Sequence, residues 1–221
     1  MQKVRIWDLP TRLFHWILVL ALPALIVTAK IGGAAMTWHL RLGYLVLALL
    51  LFRLLWGFVG GHWSRFASFW PTRARLKRYL GGQASSAEQL GHNPLGALSV
   101  LAMLLALAAQ VMAGLCADDD IFFAGPLSAH VSGSVVDWAT RYHTGPGPVL
   151  IIALVLLHIL AIALYQWRGQ RLVGPMVHGD RIISTHDSLP HSRDQLAQRL
   201  LGLVVAALAA GLVYALVSWA S

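Results

Sequence analysis

Four histidines stand within or beside long apolar stretches of the sequence: His15, His39, His143 and His158. An ionisable side chain is costly at membrane depth, so such residues are usually functional and face the interior of a helix bundle. Neutral imidazole binds transition-metal ions, and it also transfers protons or hydrogen-bonds inside a core. One such histidine alone fits a ligand or a core residue equally well, so the grouping of the four decides between these roles.

The single cysteine, Cys116, restricts the metal chemistry that is possible. Iron–sulfur clusters and structural zinc sites need several thiolates, and covalent attachment of haem needs a Cys-x-x-Cys-His motif. The sequence offers neither. We therefore expect any metal site in this chain to use histidine.

Five apolar segments are long enough to cross a bilayer, which takes roughly 20 apolar residues in a helix. Hydrophobic residues make up 57% of the sequence and charged residues only 12%, against about 25% charged residues in a soluble domain. We therefore predict an all-α integral membrane protein and not a soluble bundle. The predicted spans are Leu13–Ile31, Leu40–Val59, Leu95–Leu115, Val149–Trp167 and Leu200–Trp219.

The basic residues are concentrated on one side of these spans. The N-terminus and the loops after the second and fourth spans carry most of them, whereas the other two loops hold only Lys30 and Arg141, apart from Arg41 at the start of the second span. Basic loops remain on the cytoplasmic side of a membrane. We therefore expect a cytoplasmic N-terminus and a C-terminus on the opposite side, with the acidic run Asp118–Asp120 also outside. The formal charge of +8 accordingly does not indicate a nucleic-acid partner.

Depth in the membrane sorts the four histidines into two pairs. His15 and His158 lie toward the inside ends of their spans, and the other two lie at outside ends. At about 1.5 Å per residue, the step from His143 to His158 covers roughly 22 Å of helix, which is too far for one metal ion. Imidazole is a good axial ligand of haem iron, and helix bundles hold such groups between facing helices. We predict two haems, one held by His15 and His158 and one by His39 and His143.

A set of motifs extends from about Val4 to Arg181. They are Val4-Arg5-Ile6-Trp7-Asp8, Phe14-His15-Trp16, Arg53-Leu54-Leu55-Trp56-Gly57-Phe58-Val59-Gly60, Arg65-Phe66, Gly91-His92-Asn93-Pro94-Leu95, Asp119-Asp120-Ile121-Phe122-Phe123, His158 and Pro175-Met176-Val177. Together they resemble the bacterial dihaem cytochrome b561 family of the hydrogenase type. The resemblance implies a four-helix bundle that holds two non-covalent b haems, here joined by a fifth C-terminal transmembrane helix. The family's axial ligands fall on the four histidines that depth selects.

The resemblance also implies a function. It is that of a bacterial inner-membrane cytochrome b that carries electrons between a quinone pool and a redox partner, as a subunit of a respiratory oxidoreductase and not as a stand-alone enzyme. The partner would be a c-type cytochrome or a redox enzyme subunit, and the run Asp118–Asp120 would suit its docking on the periplasmic side. Residues 1–181 would form the dihaem domain, and residues 182–221 a connector with the extra helix.

The fourth span departs from the family pattern, in which its two histidines are 14 residues apart. Here the step is 15, and His143 is followed by Thr144-Gly145-Pro146-Gly147-Pro148. Proline and glycine break or start a helix, so we expect the outer ligand to lie on a loop or a distorted turn. His130 is the substitute for His143, and an altered or missing outer haem is a further alternative.

Three arginines, Arg12, Arg41 and Arg53, lie near the predicted haem levels. A guanidinium fork suits a carboxylate, so they are candidates for binding haem propionates; the alternative for each is that the side chain extends to the membrane interface. For His92, beside the start of the third span, a surface role at the helix start is at least as plausible as a redox role.

Two other functions stay open. Oxidation of superoxide at the outer haem, linked to quinone, would require a basic approach to that haem, and the run Asp118–Asp120 disfavours it. A membrane anchor without haem would show no Soret band. The small residues Gly202, Ala206 and Ala210 of the fifth span suit close helix packing, against a partner subunit or a second copy. The span could equally be a plain topology element that places the C-terminus outside.

Overall fold

The computed structural model describes residues 2–85, 88, 90–183 and 189–220. Five apolar helical segments within these residues are long enough to span a membrane, which confirms the predicted number and the all-α membrane architecture. In a bilayer each span must satisfy its backbone polar groups internally, and a helix does this. In chain order the elements are β1 (Gln2–Arg5), α1 (Leu9–Ile31), α2 (Met36–Val59), α3 (Phe66–Phe69), α4 (Arg73–Leu80), α5 (Pro94–Cys116), α6 (Gly133–Thr144), α7 (Pro146–Trp167), α8 (Val173–His178), β2 (Asp180–Ile183) and α9 (Leu196–Ala220).

The chain forms two compact units, each assembled from three stretches of sequence. The stretches of the first, which we call the His15 unit, are Met1–His15, Arg53–Ala102 and Leu156–Val205. Those of the second, the His39 unit, are Trp16–Phe52, Met103–Val155 and Ala206–Ser221. Each unit contains both members of one predicted histidine pair.

A short antiparallel sheet joins the N-terminus of the chain to the segment after α8. Strands β1 and β2 pair in a register that runs from Gln2 opposite Ile183 to Arg5 opposite Asp180. Gly179 ends α8 in the left-handed region, with φ of 92°, a conformation that favours glycine. Its carbonyl accepts the N–H groups of the two residues that follow β1, at 2.9 and 3.1 Å. The sheet therefore fixes the direction from which the chain enters α1.

The buried carboxylate of Asp8 organises the start of α1. Its Oδ1 accepts the Thr11 N–H at 2.8 Å, which caps the helix, and the Trp56 indole N–H at 3.1 Å. Its Oδ2 accepts the Gly61 N–H at 3.0 Å and the Ser64 hydroxyl at 2.8 Å. Asp8 has no exposed surface, so four donors compensate one buried charge and connect α1 to the end of α2.

We expect Asp8→Ala to destabilise the protein by about 3 kcal/mol, because it removes a helix cap and leaves buried donors without an acceptor. Thermal unfolding of the purified protein in detergent measures this loss. Asp137→Ala removes an exposed carboxylate from α6 and should leave the unfolding temperature nearly unchanged. Equal unfolding temperatures for the two variants would show that the Asp8 network contributes little.

The segment before α9 packs against the N-terminus within the His15 unit. Asp194 accepts the Leu9 N–H at 3.0 Å and pairs with Arg5 at 3.0 Å and Arg199 at 3.2 Å. The Ser192 hydroxyl donates to the Ile6 carbonyl at 2.6 Å. The connector is therefore bound to the rest of this unit through several polar contacts.

The small-residue face predicted for α9 is only partly exposed. Gly202 is buried, and a Cβ at this position would lie 2.6 Å from the Pro10 side chain. Ala206 and Ala210 are exposed. Gly202 therefore serves close packing within the chain, and Ala206 and Ala210 are the exposed members of this face.

The loop after α5 in the His39 unit is folded. Asp118 and Ala124 form an isolated β-bridge, and Asp119 accepts the N–H groups of Ile121, Phe122 and Phe123 at 2.8 to 3.0 Å. These backbone bonds lower the pKa of Asp119. The carboxylate of Asp119 thus holds a turn in place, and its side chain is exposed.

Candidate functional site

His39 and His143 lie close together in the His39 unit. His39 is in the first turn of α2, and His143 is in the last turn of α6. Their ring centres are 5.9 Å apart, and the ring planes are nearly perpendicular, at 84°. The predicted outer pair is therefore adjacent in the structure.

Both rings are oriented by backbone carbonyl groups. The Nδ1 atom of His39 lies 3.0 Å from the Leu25 oxygen, and that of His143 lies 2.9 Å from the Gln110 oxygen. A carbonyl can only accept, so each Nδ1 carries the proton and each neutral ring presents an unprotonated Nε2. Histidines that bind metals usually have this arrangement. The hydrogen bond from the ring nitrogen that does not bind the metal fixes both the tautomer and the ring orientation. Both side chains are thus prepared to ligate through Nε2.

The helix break after His143 is stabilised by Gln110. Helix α6 ends at Thr144 and α7 begins at Pro146, so the predicted distortion is present, with His143 on the helical side of it. The Gln110 side-chain amide donates to the His143 carbonyl at 2.9 Å. The start of α7 packs against the Gln110 side chain, and Gly147 makes this possible. A Cβ at position 147 would lie 1.9 Å from the side-chain oxygen of Gln110. Gln110 therefore holds the ring and the backbone of His143 through two separate bonds.

His130, the alternative outer ligand, has different surroundings. It is exposed, and its ring lies 4.7 Å from that of Trp219. The structure therefore brings His143, and not His130, next to His39.

The His15 unit contains a second group of histidines. His15 and His158 are half-buried and close enough to interact electrostatically, and both interact in the same way with His92. The predicted inner pair therefore lies in one unit and within electrostatic range, and a third imidazole shares that environment.

His92 is held among aromatic rings and not on the surface. Its ring centre is 4.7 Å from that of Trp7 and 4.6 Å from that of Phe69. Its Nδ1 is buried and makes no hydrogen bond within the described part of the chain. Burial, with a smaller contribution from Arg53, lowers the pKa of His92 to about 3, so the ring is neutral at physiological pH. Asn93 provides the helix-start role instead, because its Oδ1 accepts the Gly96 N–H at 2.7 Å.

The three candidate arginines differ in their contacts. Arg12 donates to the Val177 carbonyl at 2.7 Å and lies 3.6 Å from Asp194. Arg41 is exposed, with its guanidinium 5.1 Å from the centre of the Trp38 ring. Their predicted role at a propionate stays untested.

Arg53 is the buried member of this set, with 3% of its surface exposed. Its guanidinium lies 4.8 Å from the centre of the Phe66 ring, and its Nη1 has no hydrogen-bond partner among the described residues. The buried carboxylate of Asp8 interacts electrostatically with this cation, but its two oxygens already accept four hydrogen bonds. A buried donor without an acceptor is costly, so Arg53 retains a donor that a carboxylate of a bound cofactor could accept.

These features fit haem better than a bare metal ion. Two imidazoles that would share one metal ion can have ring centres at most roughly 6 Å apart, because a metal–nitrogen bond is about 2 Å and the nitrogen lies about 1 Å from the ring centre. The 5.9 Å between His39 and His143 agrees with this value. Within the residues that the structure describes, no three or more His, Cys, Asp or Glu side chains surround a common point that could hold a metal.

The chain has apolar helices long enough to cross a membrane, and histidines from different helices form pairs. These two features define the class of multi-pass membrane cytochromes. Residues 6–179 match the family model described as prokaryotic cytochrome b561. The chain therefore belongs to the prokaryotic cytochrome b561 family, which confirms the family that the sequence motifs predicted. It is accordingly a multi-pass membrane cytochrome b of electron transport that uses haem.

Two relatives carry similar names. A probable Ni/Fe-hydrogenase B-type cytochrome subunit of Azotobacter vinelandii is 26% identical over 216 residues, covering 81% of this chain and 88% of the relative. A protein of the same description from Azotobacter chroococcum mcd 1 is 27% identical over 123 residues, covering 44% of this chain and 51% of the relative. No solved structure matches the chain.

Proposed function

We propose that this cytochrome carries electrons through two b haems, one held by His15 and His158 and one by His39 and His143. The observation that carries the proposal is the pair His39 and His143, whose ring separation suits one iron and whose Nδ1 atoms both face backbone carbonyls. When bound, each haem supplies an iron that gains and loses one electron. His15 with His158 and His39 with His143 would each hold one haem, and two protein ligands to one iron would suit electron transfer rather than substrate turnover.

The residues around each pair have distinct tasks in this proposal. The carbonyls of Leu25 and Gln110 keep the outer rings in the tautomer that binds iron. Trp7 and Phe69 enclose His92 near the inner pair, and they exclude water from the His92 ring. Lowered water access and fixed charges near an iron are the means by which a protein sets its reduction potential.

The proposed partners are a quinone and a redox protein. The names of both relatives associate them with nickel–iron hydrogenase, so we propose that this chain also joins the quinone pool to a redox enzyme subunit or a c-type cytochrome. In the proposed orientation the chain lies in a bacterial inner membrane with the N-terminus cytoplasmic. Residues 1–181 would hold the haems, and residues 182–221 would add the connector and the fifth span.

The two alternatives have less support. A superoxide reaction would need a basic approach to the outer pair, and the loop of that unit carries the three aspartates Asp118–Asp120. A haem-free anchor would not require the carbonyl bonds that prepare both outer imidazoles for a metal.

The test is the haem content and the quinone reaction of the purified protein. A pyridine haemochrome assay should give two b haems per chain, and the dithionite-reduced protein in nanodiscs should be reoxidised by soluble ubiquinone or menaquinone analogues. One haem per chain would remove the two-haem path, and no haem would leave only an anchor. Two haems without reoxidation by either analogue would contradict the quinone assignment alone.

Arg53→Leu should lower the midpoint potential of one haem by on the order of 50 mV and leave the other unchanged. At an effective dielectric of 20, a unit charge about 10 Å from a redox centre changes the free energy of its reduction by roughly 1.5 kcal/mol. For a one-electron couple, a tenfold change in the equilibrium constant corresponds to about 59 mV. Loss of the Arg53 cation destabilises the reduced state, so the midpoint potential falls. Potentiometric titration measures the shift, with the exposed Arg168→Leu as control. Unchanged potentials in a folded Arg53→Leu protein would exclude Arg53 from the haem environment.

A further inference from the structure

A basic cleft lies in the His15 unit between the end of α2 and the start of α9. Its volume is about 330 Å³. It is lined by residues 59–61 and by His62, Arg65, His191, Arg193 and Gln198. None of the described residues that line it carries a carboxylate. None of these side chains belongs to the haem pairs.

The two arginines of the cleft are not neutralised by the acidic residues nearby. Asp194, next in sequence to Arg193, is instead paired with Arg5, Arg12 and Arg199. Asp8 lies behind Gly61, and its carboxylate is already satisfied by four donors. Within the described part of the chain, neither Arg65 nor Arg193 forms an ion pair. Among the described residues, the cleft therefore has two positive charges without an ion-pair partner, and these can meet an anion.

The two histidines add donors to these charges. The Nδ1 of His191 accepts the Arg5 N–H at 3.3 Å, and the Nδ1 of His62 lies 3.5 Å from the Arg65 guanidinium. Both partners can only donate, so each neutral ring carries its proton on Nε2. Four side chains of the cleft thus offer N–H donors, which is the recognition chemistry of a phosphate group.

Exposed apolar side chains adjoin the cleft along both helices. On α2, Leu55 and Phe58 are 39% and 67% exposed, and on α9, Leu201, one turn after Gln198, is 39% exposed. Leu55 precedes Val59 of the cleft by one turn, so these side chains lie on the helix faces that carry the lining residues. A ligand that combines a phosphate with hydrocarbon chains matches both the cleft and these faces, whereas free phosphate matches the cleft alone.

We propose that the basic cleft binds the headgroup phosphate of an anionic phospholipid, whose acyl chains lie along the exposed faces of α2 and α9. Basic pockets at the ends of transmembrane helices recognise such headgroups, and each arginine near the surface contributes attraction to the lipid. The lipid would join the start of α9 to the end of α2, next to the contacts that Asp194 makes with the N-terminus.

The test is lipid retention by the purified, delipidated protein, followed by native mass spectrometry. The probes are palmitoyl-oleoyl phosphatidylglycerol, phosphatidylcholine with the same chains, and inorganic phosphate. The parent protein should bind phosphatidylglycerol more tightly than phosphatidylcholine, and millimolar phosphate should not displace it. The double variant Arg65→Gln with Arg193→Gln should weaken phosphatidylglycerol binding roughly ten-fold or more and leave phosphatidylcholine binding unchanged.

The control removes the same charge elsewhere. The double variant Arg73→Gln with Lys77→Gln changes two exposed basic residues of α4 and should retain phosphatidylglycerol as the parent does. Equal loss in both double variants would show that general surface charge, and not the cleft, attracts the lipid. Displacement by phosphate would show an anion site that does not recognise lipid. Neither readout depends on haem, so the proposed electron transfer can fail without affecting this result.

Discussion

Replacing His143 with alanine is expected to lower the haem content of the purified protein from the proposed two per chain to one. The variant loses one of two imidazoles whose rings are 5.9 Å apart, and with it the ring that the Gln110 carbonyl holds at 2.9 Å. His39 alone cannot provide bis-histidine ligation. The pyridine haemochrome assay counts the remaining haem, and the reduced-minus-oxidised spectrum should lose part of its α-band.

The matched control for this variant is His130→Ala. His130 is exposed and lies against Trp219, so its removal should leave both haems in place. Retention of both haems by His143→Ala, together with loss of one by His130→Ala, would reverse the assignment of the outer ligand. Loss in neither variant would mean that another residue completes the outer site.

The membrane fold could be predicted from composition because the bilayer imposes simple requirements. A span such as α5 needs only length and apolar side chains, and its sequence has both. The histidine pairs could be predicted for a related reason, since an ionisable group within a span is rare enough to stand out. Depth along the spans then indicated the pairing, and the structure places both members of each predicted pair in the same unit.

The residues that support those histidines carry no comparable signal. Gln110 appears in the sequence as one polar residue in an apolar helix, and its two bonds to His143 depend on the path of the chain 33 residues later. His92 stands just outside the third span, so depth did not group it with His15 and His158. Its surroundings depend on Trp7 and Phe69, which come from separate parts of the sequence. The motif Gly91-His92-Asn93-Pro94 was the available signal, and it indicated a helix start as readily as a buried ring.

The β-sheet was also beyond sequence reasoning. Its strands are four residues each and pair across almost the whole length of the chain, with Gln2 opposite Ile183. Alternation over four residues is too short to distinguish a strand from an irregular segment. The sheet exists because Gly179 turns the chain back after α8 and Asp180 pairs with Lys3 and Arg5, at 3.1 and 2.8 Å. These are tertiary contacts that local sequence does not encode.

Replacing Gly114 with alanine is expected to weaken retention of the outer haem by about 10- to 100-fold, the usual cost of disturbing a residue that orients a metal ligand. A Cβ at this position would lie 2.6 Å from Cε1 and 2.9 Å from Nδ1 of His143. The His143 ring cannot simply move away, because its Nδ1 is hydrogen-bonded to the carbonyl of Gln110. Gln110 lies on α5, one turn before Gly114. Either that bond or the position of the ring must change. Haem loss during gel filtration in detergent, followed by the Soret absorbance per chain, measures the effect.

The control for Gly114→Ala is a glycine substitution that should stabilise the protein and cause no loss of haem. Gly211 lies in α9, and a Cβ there would meet nothing within 4 Å, so Gly211→Ala should stabilise the helix by about 0.5–1 kcal/mol and keep both haems. At Gly114 the same gain in helix propensity is offset by overpacking, which costs about 1–3 kcal/mol. Full haem retention by Gly114→Ala would therefore show that His143 does not need its present ring position to bind iron. Haem loss confined to Gly114→Ala would show that the absence of a side chain on α5 is a requirement of the outer site, although glycine itself has no group that could ligate a metal.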